Sequence, residues 1–390
     1  GAKGQSSTKA HVGTPPMWAM RSKNLFPSGK SRAKFGAPEM DFVFTDEQEM
    51  IAETVQSFFR DNATSERTRK AMAADGIDRQ LWQDFCQELG LGGVIVPEES
   101  GGVGLGHVEL AIVAEAAGAK ITALPLLGLN MAAQAIATSG SDTQQEKWLP
   151  GLLSGEVIAA GGGSAELKND GDKLTGTVKL IPHGGAADLL VLAGTDGAWL
   201  VDASADGVTV QTHTTMDQTR PLATITVDGA EADPLPNWQV ALAAANAAGW
   251  LTLSAEALGG AQEALDRTVE YAKEREQFGR PIGSFQAYKH RLADMVVEIE
   301  QARSAVYWAA CAIDEKSDEV ELALHAAKAF CADTFFKCAG DMIQLHGGIG
   351  FTWEHDAHLF FKRARSIQTL MLDGNWHRER IATMILGEAA

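Results

Sequence analysis

Phe285, Tyr288, Leu292, Met295, Ile299, Ala302, Val306 and Ala309 follow one another at alternating steps of three and four residues. That spacing places all eight on one face of a long helix. Asp314 to Asp318 interrupts the pattern, and a second long helical pattern runs to Leu345. Two long helices joined by a short break pack antiparallel, which points to a helical bundle. No alternation of strand and helix surrounds them, and no GxGxxG lies between a strand and a helix. A Rossmann-type nucleotide site is therefore disfavoured.

The rest of the chain reads as helices, then strands, then these helices. Thr45 and Gln48 have the spacing of a capping box, and Ile51, Val55, Phe58 and Phe59 share a face after it. A helix is expected through Leu81, Phe85 and Leu89, an Ala-rich one from Val108 to about Gly118, and more helix beyond Leu127. Between them Pro97 to Gly104 is a glycine-rich turn. From residue 156 to 230, short β-type runs alternate with Gly/Asp turns: Val157-Ile158, Leu174–Leu180, Leu189–Leu192, Ala198–Val201, Val208–Val210 and Ala223–Val227. Helical patterning returns near Asn237. The expected fold is mostly α with a small β-domain: a helical domain over 40–155, a β-domain over 156–235 and a helical bundle over 236–390.

Residues 1–39 differ in character. Seven Lys/Arg against the single acid Glu39 make this piece +6, which leaves −24 on the remainder of a chain whose net charge is −18. Three readings stand: upstream sequence or a tag ahead of Met40, a disordered basic tail, or a transit-like peptide. The acidic remainder argues against a nucleic-acid partner, since phosphate attraction needs the opposite sign. No apolar run approaches the ~20 residues that cross a bilayer. Cys86, Cys311, Cys331 and Cys338 form no CxxC pair, so a zinc or thioredoxin-type site is disfavoured. Cys331 and Cys338 stand two helical turns apart and read as small core residues. Free thiols suggest a cytoplasmic protein.

Two stretches carry candidate chemistry. Arg275 to Gln286 (REQFGRPIGSFQ) joins two long helices with Arg and Gln donors, two aromatics and glycines. Arg beside Phe suits a diphosphate and a flat ring; equally, Gly279 and Pro281 suit a plain connector. In Gln344 to Phe351 (QLHGGIGF), three glycines fall within four residues, more than a helix end needs. The surplus suits backbone packed against an anionic or planar ligand, or a tight loop between helices.

The stretches Tyr271–Met295 and Gln344–Phe351 together resemble the signature of the acyl-CoA dehydrogenase flavoproteins. The resemblance covers residues 40–390 and takes in the Pro97–Gly104 turn and the segment Met216 to Arg220. It implies a C-terminal four-helix bundle, with FAD between the β-domain and the bundle and subunits that contact each other's cofactor. By motif, Arg275 would bind the FAD diphosphate, Gln277 and Phe278 would line the adenosine region, and Gln286 would bond to the same half. Gln344, Gly347 and Gly348 would face the partner subunit's cofactor. The implied reaction is α,β-desaturation of an acyl-CoA, in which a carboxylate removes the α-proton and flavin N5 accepts the β-hydride. An electron-transfer flavoprotein is the implied electron acceptor. The family's usual base is a Glu followed by Gly and Thr. The matching place reads Leu372-Asp373-Gly374-Asn375, so Asp373 is the candidate base and Asn375 a cofactor neighbour. Asp373 also suits an N-cap for a helix beginning near Trp376. A family variant puts Glu on the helix leading into Arg275; here the matching Ala248-Gly249-Trp250-Leu251 holds no acid, and Trp250 either narrows the acyl pocket or is core.

Two departures follow. The family's runs against the flavin ring read here as Ala159 to Ala165 (AAGGGSA) and Leu180 to Gly185 (LIPHGG), without the expected side chains. A chain that keeps the base but has a bare flavin face suits an α2β2 heterotetramer; a homotetramer is the other expectation. The expected activity is therefore FAD-dependent acyl-CoA dehydrogenation, with a bulky or steroid-like acyl chain as the candidate substrate. The alternatives are a half-site or non-catalytic partner subunit and a flavin oxidase on a non-CoA substrate.

Overall fold

The structure, a computed structural model, describes residues 44–387; the basic segment 1–39 lies outside the described residues. Thr45 opens the first helix with the expected reciprocal cap. Its Oγ1 accepts from Gln48 N at 3.2 Å, and Gln48 Oε1 accepts from Thr45 N at 3.1 Å. Helix α1 (Asp46–Asn62) then buries Val55 and Phe59. Helices α2 (Ser65–Met72) and α3 (Arg79–Gln83) follow. The expected helix through Leu81, Phe85 and Leu89 is broken: α3 passes into a π-helical turn over Asp84–Glu88. Helices α4 (His107–Ala119), α5 (Leu126–Ser139) and α6 (Asp142–Leu153) complete this part.

The strands form two sheets. One has the order β1-β4-β5-β8 and the other β2-β3-β7-β6. They comprise β1 (Ala159–Gly163), β2 (Lys168–Asp170), β3 (Lys173–Pro182), β4 (Leu189–Ala193), β5 (Ala198–Asp202), β6 (Val208–His213), β7 (Leu222–Glu231) and β8 (Asp233–Pro234). Pairing is antiparallel except between β1 and β4. Leu190, Leu192, Trp199 and Val201 pack with Val178, Ile181, Ile225 and Val227 of the second sheet. Leu189, Val191, Ala198 and Leu200 point the other way, into the helical core. Both faces of β4 are thus covered, which is why it reads as an unbroken apolar run.

The expected strand at Val157-Ile158 is displaced to Ala159–Gly163. Val157 N donates to Gly151 O at the end of α6, and Ile158 N to Asp188 Oδ2. Only the Ala/Gly run is left to pair with β4, so position overrides intrinsic preference.

Helix α7 (Trp238–Glu274) leads to a small hairpin, β9 (Glu276–Gln277) and β10 (Arg280–Pro281). Helices α8 (Gln286–Asp314), α9 (Val320–His346), α10 (Ala357–Thr369) and α11 (Gly374–Leu386) follow. The three-four face of α8 buries Met295, Ile299, Ala302, Val306 and Ala309. One continuous apolar core joins α4 and α5 to α7, α8 and α9. Glycines set the α4–α7 crossing: a Cβ on Gly259 would lie 1.8 Å from Glu115 O, and one on Gly118 2.2 Å from Glu256 O. Cys86, Cys331 and Cys338 are free and buried, as core residues; Cys311 is free and half-buried.

Candidate active site

A cavity of about 810 Å³ opens where β1 and β3 face α5, α7 and the turn between α10 and α11. Two packing features shape it. Gly128 of α5 lies so close to β1 that a Cβ there would sit 1.9 Å from Ala159 O. In β3 the register with β7 shifts between Val178 and Ile181. Those two residues both fill the core between the sheets but stand three apart, so the strand must bulge. The bulge leaves Leu180 at φ 60 and exposed on the cavity wall. Gly161 to Gly163 form another part of the wall. The two runs that depart from the family's flavin-facing pattern therefore meet at one cavity, and one of them presents bare backbone.

Asp373 and Asn375 line the same cavity. Asp373 is exposed and is the N-cap of α11: its Oδ1 accepts from Trp376 N at 2.9 Å. Its Oδ2 makes no hydrogen bond among the described residues. The capping role and a carboxylate open to the cavity therefore coexist. Met371 and Leu372, directly before it, both have positive φ, at 51° and 78°. Non-glycine residues persist there only when their surroundings hold them. Trp250 is buried, packs with its ring tilted against His325 and Trp376 and edge-on to His377, and is absent from the cavity wall. Of its two readings, core is the one observed. Sequence reasoning missed Lys179, Asn246 and Glu379, which also line the cavity. Asn246 lies in an Ala-rich helical stretch, where a lone amide among small residues was the available signal.

The other predicted residues gather elsewhere. Arg275, Gln277, Phe278 and Gln286 are all exposed at or beside the β9–β10 hairpin. Phe278 and Gly279 form its tip at φ 55 and 75, a two-residue turn with both positions left-handed. Phe278 is 92% exposed. Tyr288 Oη donates to Leu345 O at 2.7 Å, and Tyr271 stacks on His346 at 4.4 Å. These contacts bring the hairpin beside Gln344, Gly347 and Gly348. None of these seven residues lines the cavity. The glycines of the QLHGGIGF turn divide by cause. Gly347 needs its φ of 63°, and a Cβ on Gly350 would press on Ile343 O at 2.7 Å. Gly348 has neither a positive φ nor a neighbour within 4 Å.

Asp217 and Arg220, from the segment that carried part of the resemblance, are buried between sheet and helices. Arg363 of α10 pairs with Asp217 at 3.1 Å, and Arg220 pairs with Glu256 of α7. Burial pushes the Asp217 carboxyl up, but the charge of Arg363, hydrogen bonds from Thr219 and the charge of Arg220 outweigh it and hold the group below the usual range. His183 lies in the same buried charge cluster, and burial depresses its imidazole to about 3. Breaking such a buried pair by removing one partner is strongly destabilising, so the cluster fixes the sheet against the helices that form the cavity.

The family model described as "Acyl-CoA dehydrogenase, N-terminal domain" matches residues 45–156, and "Acyl-CoA dehydrogenase, C-terminal domain" matches 238–386. The chain belongs to the acyl-CoA dehydrogenase family. Among its relatives is acyl-CoA dehydrogenase IpdE2 of Mycobacterium tuberculosis, 38% identical over 331 residues, 84% of this chain and 93% of that protein. Among solved structures, a variant of the Tcur3481-Tcur3483 steroid ACAD matches at TM-score 0.80 and 31% identity, covering 87% of this chain and 98% of that one. The ChsE4–ChsE5 complex from Mycobacterium tuberculosis matches at 0.82 and 28%, covering 90% and 100%. The family is FAD-dependent and dehydrogenates acyl-CoA, and this chain is an oxidoreductase of that kind. The cavity fits a flavin: it is large enough for a substantial organic group, and the bare Gly161–Gly163 edge admits a flat ring against backbone. Among the described residues, no helix is long and apolar enough to cross a membrane.

Proposed function

We propose that the chain catalyses FAD-dependent α,β-dehydrogenation of an acyl-CoA thioester with Asp373 as the base. The observation that carries this reading is the place of Asp373: an exposed carboxylate on the wall of the cavity formed by β1, β3 and the helices. When bound, FAD supplies the acceptor for the β-hydrogen and its electron pair. Asp373 takes the α-proton on its carboxylate, and the electron pair of that C–H bond becomes part of the new double bond. Trp376 N–H, bound to Oδ1, fixes the carboxylate so that Oδ2 is the oxygen left to receive the proton. Asn246 and Asn375 supply polar contacts in a largely apolar wall. Small wall residues, Gly128, Ala132 and Ala245 among them, leave width for a ring-bearing acyl group. That agrees with the steroid description of one solved relative.

Arg275, Gln277, Phe278 and Gln286 are proposed to hold the adenosine diphosphate half of FAD, and Gln344, Gly347 and Gly348 to face the partner subunit's cofactor. Their separation from the cavity in one chain, the left-handed exposed Phe278 and the open Gly348 support that reading. The bare flavin face favours an α2β2 heterotetramer, with an electron-transfer flavoprotein as acceptor. The division into 40–155, 156–235 and 236–390 stands as the proposed domain organisation. It is supported by helices ending at Leu153, strands from Ala159 to Pro234 and helices from Trp238.

The test is turnover of ring-bearing and straight-chain acyl-CoA by the flavin-loaded protein and by Asp373→Asn. Removing a general base costs about 10²–10⁴-fold. Full activity in Asp373→Asn with FAD retained would place the base elsewhere.

A further inference from the structure

Behind Asp373 lies a group of buried polar side chains that the proposed reaction does not use. Lys328 of α9 is 1% exposed, and among the described residues it has no carboxylate partner. Its Nζ donates instead to two backbone carbonyls, Ile367 O at 2.9 Å and Leu372 O at 3.4 Å. One turn earlier on α9, His325 Nδ1 meets His377 Nδ1 of α11 at 2.8 Å. His377 Nε2 faces Met371 O at 3.2 Å, and Trp250 Nε1 donates to that same oxygen at 3.2 Å.

The tautomers follow from this geometry. A carbonyl can only accept, so His377 carries its proton on Nε2. Its Nδ1 is then an acceptor, and His325 donates from Nδ1. Both rings are neutral in this arrangement, and burial keeps them so, at about 4 for His325 and about 2 for His377. Lys328, His377 and Trp250 converge on carbonyls in the last turn of α10 and in the stretch that leads into α11, and His325 reaches that stretch through His377. That stretch contains Met371 and Leu372, the two consecutive left-handed residues. Strain of this kind persists where neighbours over-determine it.

We propose that Lys328, His325 and His377 are positioning residues for Asp373: they clamp the carbonyls of Ile367, Met371 and Leu372 and so fix where the carboxylate stands at the cavity. The inference rests on the reading of Asp373 as the base. Lys328 is the member that titrates near neutrality, because burial lowers its ammonium to about 8. The titratable groups facing it are Cys331 and Asp333 on its own helix, Asp373 on the turn and His377 on α11. As pH rises through about 8, the charge is lost and its two bonds to carbonyls lose their charge assistance. The clamp loosens in that direction.

The test uses the full chain in its flavin-loaded assembly, with a ring-bearing acyl-CoA as probe, and compares Lys328→Met, Lys328→Arg, His377→Gln and Asp373→Asn. Lys328→Met is expected to lower kcat about tenfold or more with KM within about twofold, as a misplaced catalytic group does. The alkaline fall of kcat near pH 8 should vanish in Lys328→Met and move upward in Lys328→Arg, which keeps its charge. A second readout needs no turnover: hydrogen exchange at the amides of residues 370–377. In the parent protein it should rise above pH 8 faster than intrinsic exchange does, and in Lys328→Met it should already be fast at neutral pH. If Lys328→Met does not fold, His377→Gln must lower kcat and loosen the same amides. An unchanged alkaline limb or unchanged exchange in these variants overturns the proposal while leaving the base assignment intact. Full turnover in Asp373→Asn overturns both.

Discussion

At Asp373, one carboxylate oxygen caps α11, and the other, without a hydrogen bond among the described residues, is the one proposed to take the proton. Two substitutions separate these jobs. Asn is as good an N-cap as Asp, so Asp373→Asn should lose turnover with little change in melting temperature. Ala cannot cap, so Asp373→Ala should lose turnover and about 1 kcal/mol of stability as well. Thermal melts beside activity check this; equal melting temperatures for the two variants would show that the cap contributes nothing. The buried imidazoles give a pH dependence with a definite sign. His183, His325 and His377 are depressed to about 3, about 4 and about 2, whereas an unfolded imidazole titrates near ~6.5. The unfolded chain therefore binds protons first on acidification. Stability contributed by keeping these rings neutral is full above about pH 6.5 and is lost as pH falls toward the folded values. Melting temperature should drop steadily between about pH 6.5 and 4; a flat profile there would contradict the buried neutral state.

Among the elements, the close approach of α5 to β1 at Gly128 and the β3 bulge shape the cavity's walls, while the α4–α7 crossing sets the packing of the helical core. Gly259→Ala places a methyl against Glu115 O, which no side-chain rotation relieves. It should destabilise at or beyond the ~1–3 kcal/mol typical of overpacking, read as a lowered melting temperature or insoluble protein. A stable Gly259→Ala variant would mean that the helices separate more easily than their packing implies. The helices were legible in the sequence because period and caps are local: Thr45 with Gln48, and the three-four face of α8, needed no distant partner. The strand at Ala159–Gly163 was not, because its pairing is dictated by β4, some thirty residues on. Nor was the bulge at Leu180, which arises only when Val178 and Ile181 must share one core. At the site, Asp373 was readable through its motif. The proposed clamp behind it was not singled out, though His325 and Lys328 stand among Ala323, Leu324 and Ala327 on a buried stretch of α9, a polar pair where apolar residues were expected.

For the whole molecule, one chain brings together the cavity and the proposed base, while its exposed hairpin and glycine turn lie away from them. A cofactor shared between subunits would join the two regions. If an unlike partner completes the site, the chain purified alone should hold little flavin and gain it when the partner is added; a fully yellow, active protein from this chain alone would favour the homotetramer. The measurement that bears most directly on the central claim is exchange of the acyl-CoA α-hydrogen with solvent, followed by mass spectrometry on the flavin-loaded assembly under anaerobic conditions. With the native chain, the α-hydrogen of a ring-bearing acyl-CoA should exchange or be lost, and with Asp373→Asn it should stay in place while FAD remains bound. Undiminished α-hydrogen exchange in Asp373→Asn would contradict the assignment of Asp373 as the base.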